Sequence, residues 1–148
     1  MIQPVLRESQ PILIVEDSED DFYATQRAFT KANLHNPIKR AISGESALAL
    51  LQSKVEARPG LILLDLNMPG MDGRQTLEII KRDEALKSIP VVILTTSDDE
   101  RDVVTCYALG ANTYIQKPVD FDGLIEAMKR LKGYWFEIAL LPKEKDYD

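Results

Sequence analysis

The residues best suited to chemistry in this sequence are carboxylates, a threonine and a lysine that each follow a short apolar run. The central one lies in Leu61-Ile-Leu-Leu-Asp65-Leu-Asn-Met-Pro-Gly70-Met-Asp-Gly73, where four apolar residues run straight into an acid and Pro69, Gly70 and Gly73 supply turn chemistry. An acid at the close of an apolar strand has no packing use. At a strand's carboxyl edge it can ligate a cation or act as a nucleophile, or it can simply cap the next turn. Pro11-Ile-Leu-Ile-Val15 likewise runs into Glu16-Asp17-Ser18-Glu19-Asp20-Asp21, five carboxylates in six positions. Ser18 with Asp21 three residues on resembles a helix cap, and acids in a first turn suit the helix dipole, which accounts for Glu19 to Asp21. Glu16 and Asp17 precede that cap, and their mutual repulsion calls for a cation or a basic group. Thr95 closes the run Val91-Val-Ile-Leu94, and Lys117 stands after Thr113-Tyr114-Ile115-Gln116, before Pro118.

Glu16, Asp17 and Asp65 offer oxygen only, which suits a hard cation, and magnesium is the one that keeps waters and takes phosphate oxygens. A metal, a lysine and a threonine hydroxyl around a carboxylate are the parts that hold a phosphoryl group through in-line transfer to a nucleophile. Asp65 would then become an aspartyl phosphate. Neither a GxxxxGK[ST] loop nor GxGxxG occurs, so a nucleotide is not the obvious donor.

The elements that must position these residues alternate. The runs at 11–15, 38–42, 61–64, 91–94 and 113–115 read as strands. Between them, residues 19–34 read as a helix with Phe22, Ala28, Phe29 and Ala32 on one side. Ser43 caps a second helix carrying Ala47, Leu48, Leu51 and Val55, and a third after Gly73 carries Leu77 and Ile80. Ser97 and Glu100 form a capping box for a fourth, with Val103, Val104, Tyr107 and Ala108 facing inward and Gly110 ending it. Five strand and helix signals in alternation predict an α/β fold, a doubly wound parallel sheet with helices on both faces. All the candidate residues then project from one edge, the carboxyl end of the strands, where open α/β sheets bind ligands.

Composition bounds the rest. With 148 residues the chain is about one domain long, and 18 basic against 24 acidic residues give a formal charge of −6, which disfavours nucleic acid or an anionic membrane as partner. The single cysteine, Cys106, cannot form an internal disulfide, and His35 has no second histidine for a zinc site or a catalytic pair. Pro4, Arg7 and Glu8 interrupt the N-terminal apolar run, so neither a signal peptide nor a membrane span is read, and a reducing cytoplasm fits best.

The combination of Glu16-Asp17, Asp65-Leu-Asn-Met-Pro-Gly-Met-Asp-Gly73, Thr95 and Lys117-Pro118 resembles the response-regulator receiver family of two-component signalling, over residues 11 to about 132. The resemblance implies a flavodoxin-like (βα)5 sheet in the order 2-1-3-4-5, and phosphorylation of Asp65 by a phosphohistidine on a sensor histidine kinase. It also implies Mg2+ held by Asp17, Asp65 and the Asn67 carbonyl, with Glu16 acting through water. Lys117 would contact the phosphoryl group through a cis bond to Pro118. Thr95 would follow the phosphate and let Tyr114 turn inward. Glu16 replaces the commoner Asp, and Thr96 is bulkier than the usual alanine. A haloacid-dehalogenase-like phosphatase would need a second Asp at position 67, where this chain has Asn; a scaffold-only receiver would lack an acid or the lysine; an FMN binder would carry a phosphate-cradling loop after the first strand.

The chain divides into an N-terminal extension (1–10), a receiver domain (11–132) and a C-terminal extension (133–148). From Phe121 a helix carries Leu124, Ile125, Met128, Leu131, Trp135 and Ile138 along one stripe, ordinary core spacing. The segment Gly133-Tyr-Trp-Phe-Glu-Ile-Ala-Leu-Leu-Pro142 is apolar nearly all round, more than one domain is expected to bury, so Tyr134, Trp135, Phe136, Leu140 and Leu141 are expected to form a homodimer interface. This ending is similar to that of the short stand-alone receivers that pair with cyanobacterial phytochrome histidine kinases.

Overall fold

The computed structural model describes residues 10–55 and 57–137. Five strands, β1 (Ile12–Val15), β2 (Ile38–Ala41), β3 (Leu61–Leu64), β4 (Val91–Thr95) and β5 (Thr113–Gln116), alternate with α1 (Glu19–Lys31), α2 (Gly44–Gln52), α3 (Gly73–Arg82), α4 (Glu100–Ala108) and α5 (Phe121–Glu137). All pairings are parallel, as the alternation of strands and helices predicts, and the sheet order is β2-β1-β3-β4-β5, as the family resemblance implies.

The apolar strands sort by the two-residue period of extended backbone. Ile12, Ile14, Leu61, Leu63, Val92 and Leu94 point to one face and are covered by Phe22, Ala28 and Phe29 of α1 and by Leu124, Met128 and Leu131 of α5. Leu13, Val15, Ile62, Leu64, Val91 and Ile93 point to the other and meet Ala47 of α2, Leu77 and Ile80 of α3 and Cys106 of α4. Burial on both faces is why the strands are apolar without alternation. Strand order reverses between β1 and β3, and there Val15 lies in register with Leu64, which sets the next residues, Glu16 and Asp65, side by side. No helix among the described residues is long and apolar enough to cross a membrane.

Four local expectations need correction. The first helix stops at Lys31 with Ala32 as its C-cap, short of residue 34. The second ends at Gln52, and Val55 lies beyond it, 92% exposed. The fourth is capped by Asp99, whose carboxylate accepts from Arg101 N; the Ser97 hydroxyl instead donates to Asp102. The cap thus stands two residues later than expected; Val104, Tyr107 and Ala108 are exposed, and Cys106 is the residue this helix buries. Finally, α5 continues to Glu137 as the stripe from Phe121 predicts, but Phe136 as well as Trp135 packs into the same core cluster as Phe29, Ala32 and Leu34. The helix continues along the α1 face, so one domain does bury Phe136, contrary to expectation. Tyr134 stays half exposed, and Leu140 and Leu141 lie outside the described residues.

Candidate functional site

The site forms where the backbone leaves the sheet's carboxyl edge. Asp65 N donates to Val15 O at 3.1 Å, extending the β1–β3 ladder by one step and fixing Asp65 beside Glu16. Gly73 opens α3 directly beneath: a Cβ there would stand 2.2 Å from Asp65 O and 2.7 Å from Leu66 Cα, so only glycine lets the helix start this close to the acid's backbone. Asp72 caps that helix in a reciprocal capping box with Gln75.

Glu16, Asp17 and Asp65 each offer a carboxylate oxygen, and these oxygens all lie within 4.8 Å of one another. Glu16 and Asp65 are buried and Asp17 is exposed, so the cluster has two dry ligands and one facing water. Around a magnesium ion bonded at ~2.1 Å, adjacent oxygens stand about 3.0 Å apart and opposite ones about 4.2 Å, so three acids held this close can converge on a small hard cation by side-chain rotation. Arg40 of β2 supports the loop from behind, donating to Glu16 O and Asp17 O (both 3.3 Å) while its guanidinium stacks 4.9 Å over Phe22.

Lys117 reaches this cluster from the far side of the sheet. Its backbone N donates to Thr95 O at 2.6 Å, and its ammonium donates to Glu16 Oε1 at 2.5 Å and Asp21 Oδ2 at 3.0 Å and stands 3.7 Å from Asp65 Oδ2. Burial raises the Glu16 carboxyl to about 7, against the pull of the Lys117 hydrogen bond and charge. Burial works to lower the Lys117 ammonium, but donation to Glu16 and the Asp65 charge hold it above its ordinary value. No peptide bond among the described residues is cis, so the expected cis Lys117–Pro118 bond is corrected to trans.

Thr95 is fully buried at the end of β4, and its hydroxyl accepts a long, 3.5 Å contact from Asn67 Nδ2. Asn67 follows Asp65 by two residues and donates its backbone N–H to Asp65 Oδ1 at 3.4 Å. Tyr114 packs partly buried against the α2–α3–α4 core, and its hydroxyl donates to Ser97 O at 2.9 Å. The Ser97 hydroxyl donates to Asp102 Oδ2 at 2.7 Å, and Arg74 grips Asp102 Oδ1 from α3 at 2.6 Å. The loop after Thr95 is thereby tied to α3, α4 and β5.

Glu16, Asp17, Asp65, Lys117, Thr95 and Asn67 therefore meet at one edge, with Tyr114 one layer behind. Sequence reasoning missed Asp21, which it assigned to capping alone, and also Arg40, Arg74 and Asp102. Asp21 stands in the first turn of α1, three residues after the Ser18 cap, and its nearness to the strand-end acids Glu16 and Asp17 is the signal that could have found it.

Comparison with known proteins agrees with this geometry. Residues 12–129 match the family described as the response regulator receiver domain. Response regulator Rcp1 of Synechocystis sp. is 39% identical over 142 residues, covering 91% of this chain and 97% of that protein. The phosphorylated cyanobacterial phytochrome response regulator RcpA superposes with a TM-score of 0.84 at 36% identity, covering 91% of this chain and 99% of that one. The Mn2+-bound form of Rcp1 superposes at 0.82 and 38% identity, covering 90% and 99%. With the family motif, the sheet order and the acid cluster all coinciding, the chain belongs to the response regulator receiver family and is closely related to the phytochrome response regulators Rcp1 and RcpA.

Proposed function

We propose that Asp65 accepts a phosphoryl group from a phosphohistidine of a partner histidine kinase, and that the chain signals by the surface change this causes. The observation that carries the reading is the buried Asp65 carboxylate with the Lys117 ammonium 3.7 Å away and the Glu16–Asp17 pair beside it. A carboxylate oxygen of Asp65 forms a bond to phosphorus while the bond from phosphorus to the donor imidazole breaks, its electron pair leaving with the nitrogen. Lys117 holds the charge of the equatorial oxygens, and the Thr95 hydroxyl, released from Asn67, offers a further donor. Glu16, Asp17, Asp65 and the Asn67 carbonyl would hold Mg2+, which supplies charge neutralisation when bound. A shift of Thr95 pulls on the loop that carries Ser97, and Tyr114, bonded to Ser97 O, moves with it. The protein catalyses only its own modification.

Kinship to phytochrome response regulators supports a phytochrome-type histidine kinase as partner, and with it a cytoplasmic site of action. A homodimer through the outer side of α5 is part of the same reading: Tyr134 is half exposed beside an apolar groove of about 610 Å3 lined by Thr113, Ile115, Ala127 and Leu131. Sedimentation of the wild type against Tyr134→Lys tests it, and equal apparent mass at all concentrations would remove the dimer. The central test is incubation with acetyl phosphate and Mg2+, reading an acid-stable, base-labile mass gain of one phosphoryl group. Asp65→Asn should abolish the gain, and Lys117→Ala should leave it possible but uncouple it from any change in association. A gain that survives in Asp65→Asn would show that another residue is the acceptor.

A further inference from the structure

The Lys117 ammonium donates to two acids that flank Asp65 and not to Asp65 itself. Glu16 takes one bond at 2.5 Å and Asp21 another at 3.0 Å, while Asp65 Oδ2 stands off at 3.7 Å. Asp21 belongs to the first turn of α1, where its backbone N donates to the Ser18 cap, yet its carboxylate reaches residues from the opposite end of the chain. We propose that Asp21 is a positioning residue that parks Lys117 at the outer rim of the site, so that a phosphoryl group arriving at Asp65 must win the lysine from it. This rests on the phosphoacceptor reading of Asp65.

The two parking bonds are unequal. The Glu16 side chain is 5% exposed, and its bond to the 12% exposed lysine is shielded from water. Asp21 is 50% exposed, so water competes for its oxygens and its bond is the one that yields first. Moving the ammonium from 3.7 Å into hydrogen-bonding range of a group on Asp65 needs a swing of about 1 Å on a flexible stem. A cavity of about 190 Å3 lined by Asp21, Thr25, Lys117, Phe121 and Leu124 adjoins the lysine on its Asp21 side, so the polar bonds and not close packing hold the ammonium in its parked position. The acid therefore acts on the lysine and through it on the transfer, without touching the phosphoryl group.

Phosphorylation of the full chain by acetyl phosphate in saturating Mg2+ tests this, with maximal rate and half-saturating concentration measured separately. Asp21→Asn should raise the maximal rate roughly two- to five-fold, the factor corresponding to one exposed ion pair, and prolong the aspartyl phosphate to a similar degree. Asp21→Glu, which can still reach the lysine, should return both to wild-type values. Asp20→Asn removes an equal charge from the same exposed turn, where Asp20 makes no contact with Lys117, and should leave both unchanged. Thermal unfolding of the three variants checks the fold. An unaltered rate in Asp21→Asn, or an equal rise in Asp20→Asn, overturns the positioning role and leaves Asp65 as acceptor. Absence of any modification in the wild type would instead overturn the phosphoacceptor reading, and the role of Asp21 with it.

Discussion

Replacing Asp65 by Asn should change stability in opposite directions on the two sides of neutral pH. Asp65 sits within 4.8 Å of both Glu16 and Asp17 and 3.7 Å from the Lys117 ammonium. With an effective dielectric of about 20, each repulsion is worth about 3.5 kcal/mol and the attraction about 4.5 kcal/mol. With both neighbours ionised the two repulsions taken at 4.8 Å therefore outweigh the attraction by about 2.5 kcal/mol, before the screening of exposed Asp17 is counted. Burial raises the Glu16 carboxyl from 4.5 to about 7, so the folded state keeps that proton longer than the unfolded chain, and its stabilising contribution is lost as pH rises through 7. At about pH 5.5 Glu16 is neutral, one repulsion disappears, and the lysine attraction wins by about 1 kcal/mol. Urea unfolding with a chelator present should accordingly find Asp65→Asn less stable than wild type by about 1 kcal/mol near pH 5.5 and more stable by about 1 to 2.5 kcal/mol near pH 8.5. Adding Mg2+ at a hundred times its dissociation constant should stabilise the wild type by about 2.7 kcal/mol and the variant by less. A difference between the two proteins that keeps one sign across this range would refute the charge balance drawn here.

Other perturbations test separate parts of the structure. Gly73→Ala places a methyl 2.2 Å from Asp65 O, and the overpacking should cost about 1–3 kcal/mol and slow phosphorylation by acetyl phosphate, because the backbone that must move is that of the acceptor. Gly133→Ala meets nothing within 4 Å inside α5 and should stabilise by about 0.5–1 kcal/mol in thermal unfolding. Lys81 donates to Lys87 O, Ile89 O and Asn112 Oδ1, tying α3 to the entrances of β4 and β5, and Lys81→Met should cost about 1.5–3 kcal/mol in urea unfolding. Burial pushes the Lys81 ammonium down to about 8, so between there and 10.5 the unfolded chain holds more protons, and wild-type stability should gain on that of Lys81→Met as pH rises through this window.

Much of this was legible in the sequence because it depends on local periodicity. Continuous apolar runs of four or five residues separated by helical patterns determine a parallel sheet covered on both faces, and that alone puts Asp65, Glu16, Asp17, Thr95 and Lys117 on one edge. Turn and cap chemistry was equally readable at Ser18, Ser43 and Gly73. It failed at Ser97, where two acids and a serine compete for the cap; Asp99 takes it, and a single residue of phase decides that Cys106 and not Tyr107 is buried. Periodicity cannot arbitrate such a contest, because the winning cap is the one that frees the Ser97 hydroxyl for Asp102.

What the sequence determined by itself is the set of reactive groups and the edge they share, since a strand that must be apolar can carry an acid, a hydroxyl or an ammonium only where it ends. Tertiary structure alone decided how those groups pair. Lys117 meets Glu16 across 101 residues and Asp21 across 96, and which acid receives the ammonium depends on distances set by the approach of α1 to β5. The same holds for Trp135 and Phe136, whose burial rests on α5 lying along α1, a packing contact that no spacing within either helix encodes.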